Sequence, residues 1–324
     1  MKHVAIIGGG WVGCHLARTL SRNVDVTLYE RNDTLISETS LINQNRLHYG
    51  YHYARNAHTR ELCRDTFQIF LRDYGHIVDH IPNNLYAVAQ DESLLDSTTL
   101  RHIFKDWPYT KVRNHGLRNT SLVINTQEKF INAGLAAEYF SQLLMPLVVR
   151  ADIKISDIPL LKKDFDYVID CTNNALLSTA ENCFFEEVMM MLYSIKKPLP
   201  FGALTYIDGE LFSLYPYQSG VMSLSHVKHG VISQSTVHPG RRFNEQSYAR
   251  RMAMENHLRQ YWSELEDYLS PLLPVTSVKA KVRNNSADRA PVSQQDDNLL
   301  SVFTGKIQGI YAIEALVKAF IHAA

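Results

Sequence analysis

The first thirty residues restrict the chain to few folds, because they spell a strand, a glycine turn, a helix and a second strand in immediate succession. Lys2 to Ile7 read as a buried strand, and Gly8, Gly10 and Gly13 follow in the G-x-G-x-x-G order. Cys14 to Leu20 carry helical spacing, with Leu16, Ala17 and Leu20 placed to face a sheet. Val24 to Tyr29 form the second strand, and Glu30 stands at its end. In such a unit Gly8 permits the tight turn, Gly10 leaves room for a pyrophosphate, and Gly13 lets the helix pack closely on the strand. The helix N-terminus then presents N–H groups and a positive dipole end to the phosphates. Glu30, 22 positions beyond Gly8, can accept hydrogen bonds from both ribose hydroxyls. The unit therefore predicts a bound adenine dinucleotide, and leaves NAD and FAD both open.

The bulk composition excludes several classes. With 324 residues, 45% hydrophobic and 20% charged, the chain suits one large domain or two interleaved ones. Lys+Arg and Asp+Glu are both 33, so there is no global attraction for nucleic acid or an anionic membrane; only a local basic patch leaves nucleic acid open as a partner. Cys14, Cys63, Cys171 and Cys183 show no C-x-x-C pairing and read as reduced core thiols. No cleavable signal precedes the first strand and no apolar run approaches ~18 residues, which predicts a soluble, cytoplasmic protein with no membrane partner. The fourteen histidines are scattered without metal-ligand spacing, so no metal site is expected.

Beyond Glu30 the pattern stops alternating simply. Residues 31 to 53 form a long polar and aromatic loop, and Thr59 to Asp73 return to helical spacing. Strand-like pieces follow at Leu85 to Ala89 and Leu122 to Asn125, then an amphipathic helix over Gln127 to Leu144 and a short strand over Leu147 to Arg150. Asp164 to Thr172 are a strongly apolar strand. Residues 185 to 240 alternate like antiparallel strands, with a turn at Asp208-Gly209. A long polar helix is expected over Asn244 to Leu269, a strand over Val275 to Val282, and strand, Gly305-Lys306 and helix over Leu300 to Phe320. The predicted fold class is α/β: a Rossmann-like nucleotide-binding domain (1–75, 126–184, 285–324) interrupted by a mixed α+β substrate-binding domain with an antiparallel sheet (76–125, 185–284). No second G-x-G-x-x-G occurs, which argues against a chain carrying its own pyridine-nucleotide domain beside a flavin domain.

The run Ser40 to Arg55, with Asn43, Asn45, His48-Tyr49-Gly50 and Tyr51-His52-Tyr53, resembles the FAD-dependent oxidoreductases of the D-amino-acid-oxidase-like superfamily, which includes glycine oxidase, sarcosine oxidase and L-2-hydroxyglutarate dehydrogenase. Its loop is most similar to the hydroxyglutarate branch. Tyr167 to Thr172 resembles the strand that usually ends in Ala-Thr-Gly, with Cys171 and Asn173 replacing the first and last of these. Val302 to Ile307 is similar to the C-terminal Gly-Lys return, and Asp288-Arg289-Ala290-Pro291 to the Arg-Pro segment before it. These blocks cover about a third of the chain. The resemblance implies FAD, with adenosine at Glu30 and Arg31, and pyrophosphate at Gly8, Gly10, Trp11, Val12 and Gly13. It also implies a flavin ring reaching Asn45, Arg46 and Leu47. Val149, Cys171, Thr172, Gly305, Lys306 and Ile307 are the further expected cofactor contacts. Lys306 and the following helix start are placed to stabilise negative charge on the reduced ring.

Candidate substrate groups crowd the same loop. Arg46 is able to clamp a carboxylate or bond the flavin, and His48 to take a proton; the alternative is a polar loop packing between domains. Arg289 is a second carboxylate clamp, or the partner of Asp288. Tyr215, Tyr217 and His226 on inserted strands read more readily as core. Arg241-Arg242 and Arg250-Arg251 make a basic strip suited either to a solvated face or to a phosphate-bearing substrate. The expectation is a flavoenzyme oxidising a C–N bond of an amino acid or amine, a nucleotide or sugar conjugate included, with oxygen or a separate carrier as electron acceptor. The alternatives are a 2-hydroxy acid dehydrogenase, a non-redox flavoprotein such as a nucleotide-sugar mutase, and a simple NAD dehydrogenase.

Overall fold

The computed structural model describes residues 1–113, 116–179, 183–239, 247–283 and 289–322. Strand His3–Ile7 lies between Asp25–Glu30 and Tyr167–Asp170, parallel to both, with Ile7 opposite Tyr29 on one side and Asp170 on the other. The six-stranded sheet runs in the order 292–296, 299–303, 167–170, 3–7, 25–30, 148–150, and only the first pair is antiparallel. Val4 and Ile6 face a core shared with helices Trp11–Leu20, Ala57–Tyr74, Ala133–Leu144 and Ile310–His322, while Ala5 and Ile7 face Ile158 and Leu161 of helix Ile158–Asp164. Burial on both faces explains why the first strand is an unbroken apolar run rather than an alternating one.

The chain leaves this sheet after Glu30, returns at 148–150 and 167–170, leaves again, and returns at 299–303. The excursions build a nine-stranded sheet in the order 231–235, 183–195, 221–226, 212–218, 203–207, 84–89, 120–126, 110–111, with 269–282 also paired along 183–195. Met254, Leu258, Tyr261 and Trp262, from helix Ser247–Tyr261 and its end, fill one face of it. The fold is thus the expected α/β architecture, a Rossmann-like sheet with a second, largely antiparallel one.

Three elements differ from the sequence expectation. Gln127 to Leu144 is not one helix: Lys129–Ile131 is a strand between Arg46–Leu47 and Val78–Asp79, and the helix starts at Ala133. Asn132 sets that start, its side chain accepting from the Leu135 N–H at 3.1 Å. The expected helix over 244–269 runs from Ser247 to Tyr261 and then breaks before Leu265–Tyr268; residues 244–246 lie outside the described ones. Strand Leu269–Val282 begins six residues earlier than expected. It forms the sheet's edge there, where Pro271 and Pro274 withhold no needed ladder bond.

Candidate active site

The two sheets enclose a cavity of about 1110 Å³, above the roughly 300–1,000 Å³ of common ligand sites. One end is built by the glycine turn. A Cβ on Gly13 would lie 1.9 Å from the Gly8 carbonyl oxygen, so only glycine lets helix Trp11–Leu20 sit this close to the strand. Gly8 and Gly10 line the cavity with Trp11 and Val12; a Cβ on Gly10 would meet only Ser40 Oγ, at 3.0 Å. The turn therefore meets the cavity through Gly8 and Gly10, with Ser40 close against it. Glu30 also lines it, and its carboxylate accepts from the Gly9 N–H at 2.6 Å and the Asn32 N–H at 2.7 Å. The Asn32 side-chain amide donates to it as well, at 2.9 Å, and three bonds still leave the carboxylate accepting capacity for a ribose hydroxyl. Arg31, Cys171 and Thr172 complete this wall. Asn173, which follows Thr172, has φ +60°, a conformation asparagine tolerates where the resembling sequences place glycine.

The other end gathers charge. Arg46, His48, His52, Lys279, Arg289 and Lys306 all reach the cavity, beside Gly305 and Ile307. Arg46 donates to Thr205 Oγ1 at 2.9 Å and to Gln44 Oε1 at 2.7 Å, and its guanidinium stacks 4.1 Å from the centre of the Tyr215 ring. Among the described residues this buried cation has no carboxylate partner. Desolvation inside the cavity and the nearby Arg289, with Lys279 and Arg46 adding less, hold Lys306 down at about 7 against the opposing pull of Cys63. Lys279 is lowered likewise to about 8 by burial, Lys281, Arg289 and Arg46, with Glu186 opposing. Such an array of cations calls for anionic ligands.

His48 and Glu128 form a buried pair, with Nδ1 3.1 Å from the carboxylate. Burial pushes His48 down to about 4, assisted by Lys306 and Arg46 against the attraction of Glu128, so the imidazole is neutral at working pH. Its Nε2 lies 3.4 Å from Tyr53 Oη. His52, 5.6 Å away ring to ring, is driven well below its usual value by burial and by Arg46, and its buried Nδ1 has no hydrogen-bond partner. The cavity-lining glycine turn, the acid at the second strand's end and the uncompensated cations together fit a long dinucleotide carrying a redox ring.

Four sequence candidates stand off the cavity. Gly13 lies behind the turn, Leu47 is in the core, and Val149 is 44% exposed, its place on the wall taken by residues 151–156. Asn45 is buried with φ +45°, its carbonyl accepting from the Ile131 N–H. Tyr215 serves as the platform under Arg46, and His226 lines the cavity. Arg241, Arg242 and Asp288 lie outside the described residues; Arg250 donates to the Val231 carbonyl, and Arg251 to Glu255 at 2.6 Å. Gln44, Thr205, Lys279 and Glu128 were not singled out from sequence; Gln44 lies within the Ser40–Arg55 run, and nothing local to the other three carries a signal.

The structure also brings together His226, His229 and His257, with one ring nitrogen of each within 4.8 Å of the others. Sequence spacing gave no hint of this cluster. The His226 Nδ1 accepts from the N–H groups of Lys228 and His229, at 3.1 and 3.2 Å, which puts its proton on Nε2, 2.6 Å from His257 Nδ1. Coordination through that Nε2 would require its deprotonation, so a proton-ordered chain accounts for the cluster.

A family model described as FAD dependent oxidoreductase matches residues 3–141. The FAD-dependent monooxygenase FPY4 of Fusarium mangiferae is 30% identical over 98% of this chain and 90% of its own length. Among solved structures, glycine oxidase from Geobacillus kaustophilus superposes with a TM-score of 0.74, at 11% identity, over 100% of this chain and 95% of that one. The L-alpha-glycerophosphate oxidase of Mycoplasma pneumoniae, solved with FAD bound, gives 0.74 at 13% identity over 99% and 95%. At such identities these two show the shared fold. No helix among the described residues is long and apolar enough to cross a membrane.

Proposed function

Because the chain belongs to the FAD dependent oxidoreductase family, we propose that it oxidises a small carboxylate-bearing amine, an α-amino acid in the simplest case, at the carbon carrying nitrogen. Its cofactor is FAD, and the nicotinamide-only and non-redox alternatives fall away with the family. When bound, FAD supplies the hydride acceptor, at its N5. Gly8, Gly10, the helix start at Trp11, Glu30, Thr172 and the Gly305–Ile307 return are the groups we assign to holding it, on the side of residues 1–75, 126–184 and 285–324.

The observation that carries the reading is a buried arginine with only neutral partners standing in the same cavity as a neutral buried histidine. Arg46 receives the substrate carboxylate, and Arg289 is the second group able to do so. A carboxylate on Arg46 cancels part of the field that depresses His48 and makes it a better proton acceptor. His48 takes a proton from the substrate ammonium; the freed lone pair then drives the carbon-bound hydrogen off with its two electrons, leaving an iminium that water hydrolyses to a keto acid and ammonia. Oxygen or a separate carrier returns the enzyme to its oxidised state.

A 2-hydroxy acid is the second reading, favoured by one feature: a hydroxyl keeps its proton at every working pH and needs a base such as His48, whereas an amine can lose it before binding. Anaerobic addition of amino acids, amines and 2-hydroxy acids to the yellow holoprotein separates the two. Bleaching of the flavin band by a carboxylate-bearing amine is expected. Bleaching by hydroxy acids alone would transfer the assignment to them, and bleaching by neither would end it. The relative named a monooxygenase adds one check: isotopically labelled dioxygen should leave no label in the organic product.

A further inference from the structure

Glu128 sits on the turn between strands Thr120–Thr126 and Lys129–Ile131, far in sequence from the loop it serves, and its side chain is 0% exposed. One carboxylate oxygen accepts from three consecutive backbone N–H groups, those of Tyr49, Gly50 and Tyr51, at 2.8, 2.9 and 3.2 Å. Gly50 makes this nest possible: it has φ +122°, and a Cβ there would lie 2.7 Å from the Arg60 carbonyl oxygen. The other oxygen accepts from the Tyr86 hydroxyl and faces His48 Nδ1 at 3.1 Å. Burial alone would raise the Glu128 carboxyl, but the His48 imidazole, Tyr86 and the Gly50 N–H outweigh it and keep it below its ordinary value. A carboxylate met by five donors is ionised and accepts only.

The consequence is a fixed tautomer. His48 Nδ1 must carry a proton to face that oxygen, so in the neutral ring Nε2 holds the lone pair. The His48 backbone is clamped as well, its N–H donating to Gln308 Oε1 at 3.0 Å and its carbonyl accepting from Gln308 Nε2 at 2.9 Å. His52 shares the cavity wall but has no carboxylate on its ring, and its Nδ1 is unpartnered. That contrast singles out one of two neighbouring histidines.

We propose that Glu128 is a positioning residue for the reaction: it locks His48 in the Nδ1–H tautomer, so that Nε2 is the proton acceptor presented to substrate. The inference rests on the reading of His48 as the base, and its test keeps the two apart. In Glu128→Gln the amide oxygen must take the three backbone N–H groups, which turns the amide NH2 towards His48 Nδ1 and moves the ring proton to Nε2. Nitrogen-15 NMR of the histidines in the FAD-bound protein reads the tautomer without any need for activity. Expected are Nδ1–H for His48 in the unaltered protein, Nε2–H in Glu128→Gln, and unchanged Nδ1–H in Tyr86→Phe. Substrate-driven flavin reduction in Glu128→Gln should fall about 10²–10⁴-fold, with substrate affinity nearly unchanged because Arg46 is untouched. An Nε2–H tautomer in the unaltered protein overturns the inference, even if Glu128→Gln fails to fold. So does a Glu128→Gln protein that keeps Nδ1–H. A reversed tautomer with undiminished flavin reduction would remove His48 as base and with it the positioning role, leaving Glu128 only as the group that sets the tautomer.

Discussion

Replacing Arg46 by Met should abolish selection for a carboxylate while leaving the fold intact. The guanidinium is held by three neutral oxygens, Thr205 Oγ1 at 2.9 Å, Gln44 Oε1 at 2.7 Å and, more weakly, Tyr86 Oη at 3.4 Å, and by the Tyr215 ring at 4.1 Å. Hydrogen bonds to a charged group contribute about 1.5–3 kcal/mol each and a desolvated cation–π contact about 2 kcal/mol. Stripping water from a guanidinium without a counter-ion opposes them by several kcal/mol. These terms are of one size, so Arg46→Met should change stability by no more than about 1–2 kcal/mol, with Met filling the slot over Tyr215. Binding is another matter. Losing one partner of a buried charge pair costs about 2–5 kcal/mol, which weakens an α-amino acid about 30- to 4,000-fold. The assay is anaerobic flavin reduction followed against substrate concentration, with the acid and its decarboxylated amine side by side. The acid should lose affinity and the amine should not. An acid bound within about threefold of its original affinity would refute the reasoning and pass the carboxylate to Arg289, the second guanidinium on the cavity.

Other consequences follow from the same geometry. Gly13→Ala forces a methyl to 1.9 Å from the Gly8 carbonyl oxygen; overpacking of about 1–3 kcal/mol exceeds the ~1 kcal/mol gained in helix propensity, so the protein should melt lower and lose FAD on dialysis. Full FAD occupancy would contradict the packing argument. His48 is held near 4 in the folded protein against 6.5 ordinarily, so the unfolded chain takes up a proton that the native state refuses. Its contribution to stability, about 3 kcal/mol at full extent, is present above 6.5 and lost as pH falls towards 4, which His48→Asn should diminish in melting curves. Lys306→Met removes a charge that depresses His48, so the acid limb of flavin reduction should move to higher pH; a shift to lower pH would contradict the placement.

What was legible in the sequence was local. The strand, turn, helix and acid of residues 3–30 are set by neighbours along the chain, and they fold with the register that parallel pairing requires. Arg46 and His48 could be picked out because polar and aromatic residues crowd one loop. The partners that give those residues their chemistry come from afar: Thr205 is 159 positions from Arg46, and Glu128 is 80 from His48. The helix expected over Gln127 to Leu144 failed for the same reason. Phe130 and Ile131 suit a helical stripe equally well, and only pairing with Arg46–Leu47 and Val78–Asp79 makes them a strand. The histidine cluster at 226, 229 and 257 likewise needs a helix and a hairpin to meet before it exists.

A crystal structure of the FAD complex with an unreactive carboxylate analogue tests the central claim most directly. The account predicts the analogue's carboxylate on the Arg46 guanidinium, its reacting carbon against the flavin ring, and His48 Nε2 within hydrogen-bond reach of the attached nitrogen or oxygen. A carboxylate seated elsewhere in the cavity, with Arg46 still bonded only to Thr205, Gln44 and Tyr86, would contradict it.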